Sequence, residues 1–150
     1  MTRRYPADDL AGKIRTRFPD AVADTAPTEL YLERDRLRDV CEFLRDDEAL
    51  DFRALVALNA VDYVDYFEVV YRLVSYRHNH ATVLKVRVYE RDEPSVPSVT
   101  SVWKGAELQE REVYDLMGVA FDGHPNLKRV FLWEGFEGHP LRRDFLLQRP

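Results

Sequence analysis

The sequence predicts an α+β fold, with a mostly antiparallel sheet and helices packed on it, followed by an extended C-terminal segment. Three observations support this prediction. Apolar residues recur at helical spacing in two N-terminal stretches, three strand-like stretches with short links follow, and glycine and proline become frequent after Gly118. Because a chain of 150 residues suits one domain, we expect a compact α+β domain over residues 1–118 and the extended segment over residues 119–150.

The N-terminal stretch predicts two helices and a strand. Leu10, Ile14 and Phe18 recur every four residues behind Pro6, a residue that favours the first turn of a helix. Residues 29–33 alternate between polar and apolar side chains and predict a strand. A second helix is expected to begin near Asp35. Its apolar stripe consists of Leu37, Val40, Cys41 and Leu44.

Three consecutive strands are predicted next, over residues 52–62, 66–76 and 81–90. These stretches are rich in Val, Leu, Tyr and Phe, and the short links between them suit hairpins. The third strand alternates between apolar and polar residues, so we expect one buried and one partly solvated face. A third helix is predicted over residues 98–117, because Pro97 and Gly118 are residues that helix starts and ends prefer.

Composition excludes several classes of protein. A net charge of −5 disfavours binding to nucleic acid. The longest apolar run is far too short to span a bilayer, and the N-terminus does not resemble a signal peptide. The single cysteine, Cys41, excludes an internal disulfide and an iron–sulfur cluster held by this chain alone. No dinucleotide-binding or phosphate-binding glycine motif is present, so we expect no cofactor on this chain.

The third predicted helix carries an anomalous acidic residue. On a helical wheel Glu110 lies in the middle of the apolar face, where an unpaired carboxylate is costly. It could be a catalytic acid with a raised pKa, but we expect a structural ion pair, since the sequence offers no accompanying nucleophile or metal cluster. The expected partner is Arg129, Arg142 or Arg143. Arg111 and Asp115, four residues apart, are expected to pair on the flank of the helix.

Four histidines offer little chemistry. His78 and His80 lie in a predicted hairpin link, where a solvated loop is favoured over a weak metal site. His124 and His139 each stand between a glycine and a proline. Two histidines without a nearby cysteine are too few for a zinc site, so each Gly-His-Pro is expected to form a turn whose imidazole bonds to the backbone. A hydrolase that uses Glu110 and His124 is a remote alternative, because no nucleophile motif accompanies them.

Residues 119–150 are extended in pattern but not disordered in composition. They combine several aromatic residues with a net charge of +1, whereas the rest of the chain is acidic. Such a segment suits docking on another protein, where aromatic residues and arginine are enriched. On pattern alone, folding back over its own domain is equally consistent.

Two strings in the C-terminal half carry a family resemblance. Residues 110–132 read EREVYDLMGVAFDGHPNLKRVFL, and residues 138–145 read GHPLRRDF. They resemble, in order and separation, the two signatures of the C subunit of NADH-quinone oxidoreductase, which is the thirty-kilodalton subunit of respiratory complex I. That family often has lysine where Arg143 stands, a difference that keeps the charge. The positions that match the signatures, and that the resemblance assigns to partner contacts and segment geometry, are Glu110, Arg111, Glu112, Tyr114, Asp115, Gly118, Phe121, Gly123, His124, Pro125, Leu127, Arg129, Gly138, His139, Pro140, Leu141, Arg142, Asp144 and Phe145.

The resemblance implies a non-catalytic scaffold subunit of the peripheral arm. Such a subunit packs on the large hydrogenase-like quinone-site subunit, near the small cluster-bearing subunit and other peripheral-arm subunits. The complex passes electrons from NADH to quinone with proton translocation and uses FMN, iron–sulfur clusters and quinone, none of them bound by this chain. The expected location is the cytoplasmic face of the cell inner membrane, with membrane association only through partners. A homologous subunit of a membrane-bound hydrogenase, or of a coenzyme F420-linked or ferredoxin-linked dehydrogenase, is the alternative.

Overall fold

A computed structural model describes residues 2–145 and contains one sheet of six strands with three helices. The strands of this sheet are β1 (Arg3–Arg4), β2 (Val22–Thr25), β3 (Leu30–Leu32), β4 (Ala54–Asp62), β5 (Phe67–Ser75) and β6 (His80–Val88). Their order is β2-β3-β6-β5-β4, and β1 also pairs with β6. The meander β4-β5-β6 is antiparallel, while β1 and β3 run parallel to β6. The predicted α+β class with a mostly antiparallel sheet is therefore confirmed.

The first two helices follow their predicted apolar stripes. Helix α1 (Ala7–Arg17) has two acidic residues in its first turn and two basic residues in its last, the arrangement that the helix dipole favours. Helix α2 (Leu37–Asp46) follows a short 3-10 turn at Arg34–Arg36. All four residues of its predicted stripe are buried, Cys41 among them. Both stripes join the inward side chains of the strands in one hydrophobic core.

The sheet buries the face that its alternation predicts. On β6, Leu84, Val86 and Val88 are buried, and the residues between them are partly exposed. These inward positions lie opposite Tyr71, Val69 and Phe67 of β5. Because the buried residues of all three helices belong to this same core, the helices lie on one face of the sheet. Among residues 2–145, the other face has no helix of this chain over it.

The third helix is shorter than predicted. Helix α3 spans Ala106–Met117, whereas residues 98–105 form turns. Before them, β7 (Ser95–Pro97) pairs in parallel with β8 (Ala120–Asp122). The preceding stretch cannot enter the helix because the Ser98 N–H donates to Asp122 O and the Val99 N–H donates to the Glu110 carboxylate. The predicted end is correct: Gly118 caps α3 in the left-handed conformation at φ 75°.

After β8 the described chain, residues 123–145, runs through turns and bends back along α3 towards the end of β4. Val119 and Phe121, at the start of the C-terminal segment, are buried in the core. Over residues 2–145 no helix combines the length and the apolar character needed to cross a bilayer.

Candidate partner interface

The second Gly-His-Pro string binds the C-terminal end of α3. The last turn of a helix leaves carbonyl groups without partners within the helix. Here His139 Nδ1 lies 2.9 Å from Asp115 O, and the Leu141 N–H donates to Leu116 O at 2.9 Å. Arg142 Nε donates to Met117 O at 2.6 Å, and its Nη2 donates to Gly118 O at 3.3 Å. The two signature strings therefore form one structural unit, in which the second caps the helix that the first builds.

Gly118 is required where these two strings meet. Its φ of 75° is one that side-chain-bearing residues rarely adopt. A Cβ atom at this position would lie 2.5 Å from His139 Cδ2 and 2.6 Å from Arg142 Nη2. Both side chains are held by their bonds to α3, so the close approach depends on the missing side chain.

Arg142 occupies this position as a cation among carbonyl groups. Its guanidinium lies over the Phe67 ring at 5.0 Å from the centroid, and burial lowers the pKa of Arg142. A cation at the C-terminus of a helix is favoured by the helix dipole. Burial also lowers the pKa of His139, despite its bond to Asp115 O. A neutral imidazole bonded to a carbonyl oxygen donates from Nδ1, which fixes the ring on the helix end.

The fully buried carboxylate of Asp115 binds the C-terminal segment. Its Oδ2 accepts the backbone N–H groups of Val130, Phe131 and Leu132 at 3.1, 2.7 and 3.1 Å. Its Oδ1 accepts Arg129 Nη1 at 3.0 Å. Burial alone would raise the pKa of Asp115, but these donors outweigh it and lower the pKa. The carboxylate thus holds a turn of the segment through its backbone.

The carboxylate of Asp62, at the end of β4, also binds the segment. It accepts both Arg91 Nη groups at 2.6 and 3.0 Å, and also the N–H groups of Val64 and Arg143 at 2.8 and 3.0 Å. Arg143 Nε donates to Asp62 O at 2.7 Å, and Arg91 contacts Asp144 at 3.2 Å. Burial would raise the pKa of Asp62, but Arg91 and the two N–H groups lower it to about 2. The segment is therefore tied to the sheet as well as to α3.

Two predicted ion pairs are wrong. Glu110 is fully buried, but it accepts Ser98 Oγ at 2.6 Å and the Val99 N–H at 2.8 Å rather than an arginine. Burial raises its pKa, and the two hydrogen bonds oppose that rise. Asp115 pairs with Arg129 and not with Arg111. The Arg111 guanidinium instead donates to the carbonyl groups of Lys128 and Arg129.

The prediction for the two Gly-His-Pro histidines is confirmed. His124 Nε2 lies 2.9 Å from Glu107 O, and the Asn126 N–H donates to its Nδ1 at 2.9 Å, so this imidazole holds a turn against α3. His78 lies in the link before β6 and bonds to Glu48 O. His80 does not lie in a solvated loop as predicted: it is half-buried at the start of β6, bonds to Leu50 O and packs against the Phe52 ring. Within residues 2–145, no group of three or more His, Cys, Asp or Glu side chains is arranged to hold a metal ion.

The remaining signature residues divide by exposure. Phe121 is in the core. Of the others, Glu112, Tyr114, Leu127, Gly138, Pro140, Asp144 and Phe145 are half-buried, and Gly123 and Pro125 are exposed. Leu141 is exposed, although its N–H is bonded to α3.

Part of the apolar surface of the C-terminal segment faces solvent. Phe131 and Trp133 are 62% and 68% exposed, and Leu141 is 59% exposed. Trp133 contacts Phe136 edge-on at 4.8 Å between centroids, and Phe136 stacks on Phe145 at 6.2 Å. The segment therefore bonds to the domain through its backbone and through Arg129 and Arg142, while Phe131 and Trp133 face solvent. We call the exposed surface of the aromatic residues Phe131 and Trp133, together with the aliphatic Leu141, the aromatic face.

Sequence reasoning missed Asp62, Arg91 and Ser98. Asp62 and Arg91 lie outside both signature strings, at the ends of predicted strands, where charged residues are ordinary. The arginines at 142 and 143 gave no usable signal, because their side chains bond to backbone carbonyl groups. Glu110 was the evident candidate, but Asp115 and Asp62 hold the segment instead.

Comparison with known proteins agrees with these strings. The family model described as "Respiratory-chain NADH dehydrogenase, 30 Kd subunit" matches residues 30–150. The NADH-quinone oxidoreductase C subunit of Roseiflexus sp. (strain RS-1) is 44% identical, covering 88% of this chain and 79% of its own length. The corresponding C subunit of Hyphomonas neptunium is 42% identical over 93% of this chain and 71% of its own length. A probable mitochondrial NADH-ubiquinone oxidoreductase 30.4 kDa subunit from Candida maltosa is 43% identical, over 77% of this chain and 42% of its own length.

A solved structure shares the fold. A chain of the membrane-bound sulfane sulfur reductase, an archaeal respiratory membrane complex, aligns with a TM-score of 0.73 at 24% identity, covering 92% of this chain and 84% of that one. At this identity the likeness concerns the fold alone. The family match over most of the chain and the identity to its relatives show that this chain belongs to the 30 kDa subunit family of the respiratory-chain NADH dehydrogenase.

Proposed function

We propose that this chain is a non-catalytic scaffold subunit of NADH-quinone oxidoreductase. In this proposal it belongs to the peripheral arm, at the cytoplasmic face of the cell inner membrane, and it packs on the large hydrogenase-like quinone-site subunit. The flavin, the iron–sulfur clusters and the quinone of the complex are bound by other subunits. Family membership supports the complex, because the relatives are named as subunits of this enzyme.

The observation that carries the docking role is the orientation of the C-terminal segment. A segment that served only to cover its own domain would bury its apolar side chains, since their burial is the main favourable contribution to packing. Here Phe131 and Trp133 are exposed, and the segment is attached through Asp115, Asp62 and the end of α3. Exposed aromatic side chains on a rigidly held backbone are typical of interface anchors.

A non-catalytic role is supported by the burial of Glu110, the acidic residue that the sequence offered as a catalytic acid. Glu110 and its partner Ser98 are 0% and 3% exposed. Their contacts hold the turn before α3 in place. Buried beneath the surface, this pair offers a substrate no access, so the structural role of Glu110 is favoured over the hydrolase alternative.

We also propose that residues 1–118 and 119–150 act as a body and a docking segment. A truncation that tests this division has to retain β8, because Val119 and Phe121 are buried in the core and β8 pairs with β7. A chain ending at Asp122 is expected to fold, yet to be lost from the assembled complex.

The test of the proposed function is recovery of the complex with the tagged full-length chain. The chain is purified from gently solubilised membranes, the co-purifying proteins are identified by mass spectrometry, and NADH–quinone activity is measured. We expect flavin- and cluster-bearing subunits and the large quinone-site subunit. Recovery with a nickel–iron hydrogenase pair would contradict the proposal in favour of a related assembly, and recovery of the chain alone would contradict a subunit role.

The docking role is tested with a matched pair of variants. Trp133→Ser removes an exposed aromatic side chain from the aromatic face, and Leu108→Ser removes an apolar side chain of 50% exposure from α3. We expect Trp133→Ser to lower recovery of the large subunit about tenfold or more, and Leu108→Ser to leave it unchanged. Equal recovery with both variants would show that the aromatic face is not the docking surface.

A further inference from the structure

A second exposed aromatic surface lies at the turn between β4 and β5. Tyr63 and Val64 in this turn are 44% and 56% exposed, and Tyr89, just after β6, is 63% exposed. The Tyr66 ring joins them, at 5.3 Å from the Tyr63 ring and 5.4 Å from the Tyr89 ring. We call these four residues the tyrosine patch. It lies at one end of the sheet face that no helix of the described chain covers.

Contacts with Arg87 hold the central ring of the tyrosine patch, that of Tyr66. Arg87 inserts its guanidinium between aromatic rings, at 4.2 Å from the Tyr31 centroid and 5.1 Å from the Tyr66 centroid. The buried carboxylate of Glu68 contacts Arg87 at 3.6 Å and Lys85 at 3.1 Å. Tyrosine side chains lose little conformational entropy on binding, and interfaces are enriched in both tyrosine and arginine.

The backbone of the turn is strained at an exposed residue. Val64 has a φ of 73°, a conformation that is an outlier for a β-branched residue. Asp62 holds it there by accepting the Val64 N–H at 2.8 Å, and the Tyr63 N–H closes the turn on Tyr66 O at 2.9 Å. Asparagine or glycine would relieve this strain. An apolar residue held in a costly conformation and exposed to solvent favours a binding role over a folding role.

The patch is physically continuous with the C-terminal segment. Asp62 bonds to Val64 through one carboxylate oxygen and to the Arg143 N–H through the other. The same carboxylate therefore positions both the strained turn and the segment that carries the aromatic face. The turn and the segment at Arg143 therefore meet at one carboxylate.

We propose that the tyrosine patch is a second half of the docking surface and binds the same large subunit as the C-terminal segment. This inference rests on the proposed function. The partner face that fits it presents apolar side chains to Val64 and the tyrosine rings. It also presents carbonyl or carboxylate oxygen atoms to the tyrosine hydroxyl groups and to the partly exposed Arg87, and no cation at that point. Asp62 is the positioning residue that sets the angle between the two halves.

The first experiment compares three tyrosine variants in the complex. Tyr63→Ser and Tyr89→Ser alter the patch, and Tyr76→Ser alters a 77% exposed tyrosine at the opposite end of the sheet. The tagged full-length chain is purified from gently solubilised membranes, and the large subunit is quantified by mass spectrometry. We expect a loss of about tenfold or more in recovery with the patch variants and no change with Tyr76→Ser. Equal recovery with all three variants would overturn the proposal.

The second experiment separates binding from folding at Val64. Because asparagine adopts positive φ more readily than valine, Val64→Asn is expected to preserve or raise the unfolding temperature of the chain while it lowers recovery of the large subunit. A purely structural role would move the two measurements in the same direction. That outcome, or an unchanged recovery, would overturn the proposal for the patch.

The two proposals fail in different ways. If Trp133→Ser abolishes recovery and the patch variants do not, the docking segment stands and the patch is not part of the surface. If the wild-type chain recovers no large subunit at all, the proposed function itself fails.

Discussion

Replacing Asp115 with asparagine is the sharpest test of how the C-terminal segment is held. The carboxylate is fully buried and accepts three backbone N–H groups and Arg129. An asparagine side chain is nearly the same size, but it carries one oxygen acceptor and turns an NH2 group towards one set of donors. Asp115→Asn therefore removes the charge, weakens the bonds from the three N–H groups and leaves Arg129 facing a donor.

The magnitude follows from these contacts. A hydrogen bond to a charged group contributes about 1.5–3 kcal/mol, and breaking a buried ion pair from one side costs about 3–5 kcal/mol. Arg129 keeps its bond to Gly138 O at 3.0 Å and is partly exposed, which reduces the cost of losing its partner. We expect the free energy of unfolding to fall by about 3 kcal/mol, which corresponds to about 6–12 °C in unfolding temperature for a domain of this size.

The assay is thermal unfolding of the purified chain, together with hydrogen exchange of the amides at 130–132. Asp122→Asn is the matched control, since Asp122 lies in the same segment but is exposed. We expect exchange at 130–132 to accelerate in Asp115→Asn alone. If both variants unfold at the same temperature and their amides exchange at the same rate, Asp115 does not hold the segment and the reasoning is refuted.

Three further predictions concern the same region. Gly118→Ala is expected to displace His139 and Arg142 and to lower the unfolding temperature more than Gly123→Ala, whose Cβ would meet nothing within 4 Å although its φ is also positive; equal shifts in thermal unfolding would contradict the close packing. The folded-state pKa of Asp62, about 2, lies below its ordinary 3.8, so its contribution to stability is complete above about pH 4 and is lost as the pH falls towards 2. Asp62→Asn is expected to reduce this loss of stability between pH 4 and pH 2, measured by urea unfolding. An unchanged loss would exclude Asp62 as its source. Burial raises the folded-state pKa of Glu110 above 4.5, so this group lowers the free energy of unfolding as the pH rises above 4.5. Glu110→Gln is expected to remove this pH dependence of the free energy of unfolding. An identical pH profile in the variant would show that burial does not raise the pKa of Glu110.

Part of the candidate site was readable from the strings alone. Glycine and proline predict a turn in each Gly-His-Pro string, and both imidazoles bond to backbone carbonyl groups as expected. The left-handed end of α3 at Gly118 is also a local property, because only the residue's own backbone conformation is at issue. Such features depend on neighbours in sequence, and they were predicted correctly.

The pairing of the buried charges could not be read in this way. The helical wheel correctly marked Glu110 as buried, but it treated α3 as a helix with one covered face. In the structure α3 is covered on one side by the core and on another by the C-terminal segment. Asp115, on the second side, is therefore as buried as Glu110 and pairs with Arg129, one of the three arginines expected to pair with Glu110.

By itself, the sequence determined the order of the three helices and of strands β3 to β6, the buried face of the sheet and the two signature strings, because periodicity and turn residues act over a few neighbouring positions. The short strands β1, β2, β7 and β8 were not predicted. Tertiary structure decided where α3 begins, which carboxylates hold the segment, and that Asp62 joins the segment to the strained turn at Val64. Those outcomes depend on groups up to 81 residues apart in the chain. Buried charges select partners by proximity in the folded chain, and a linear pattern carries no measure of that distance.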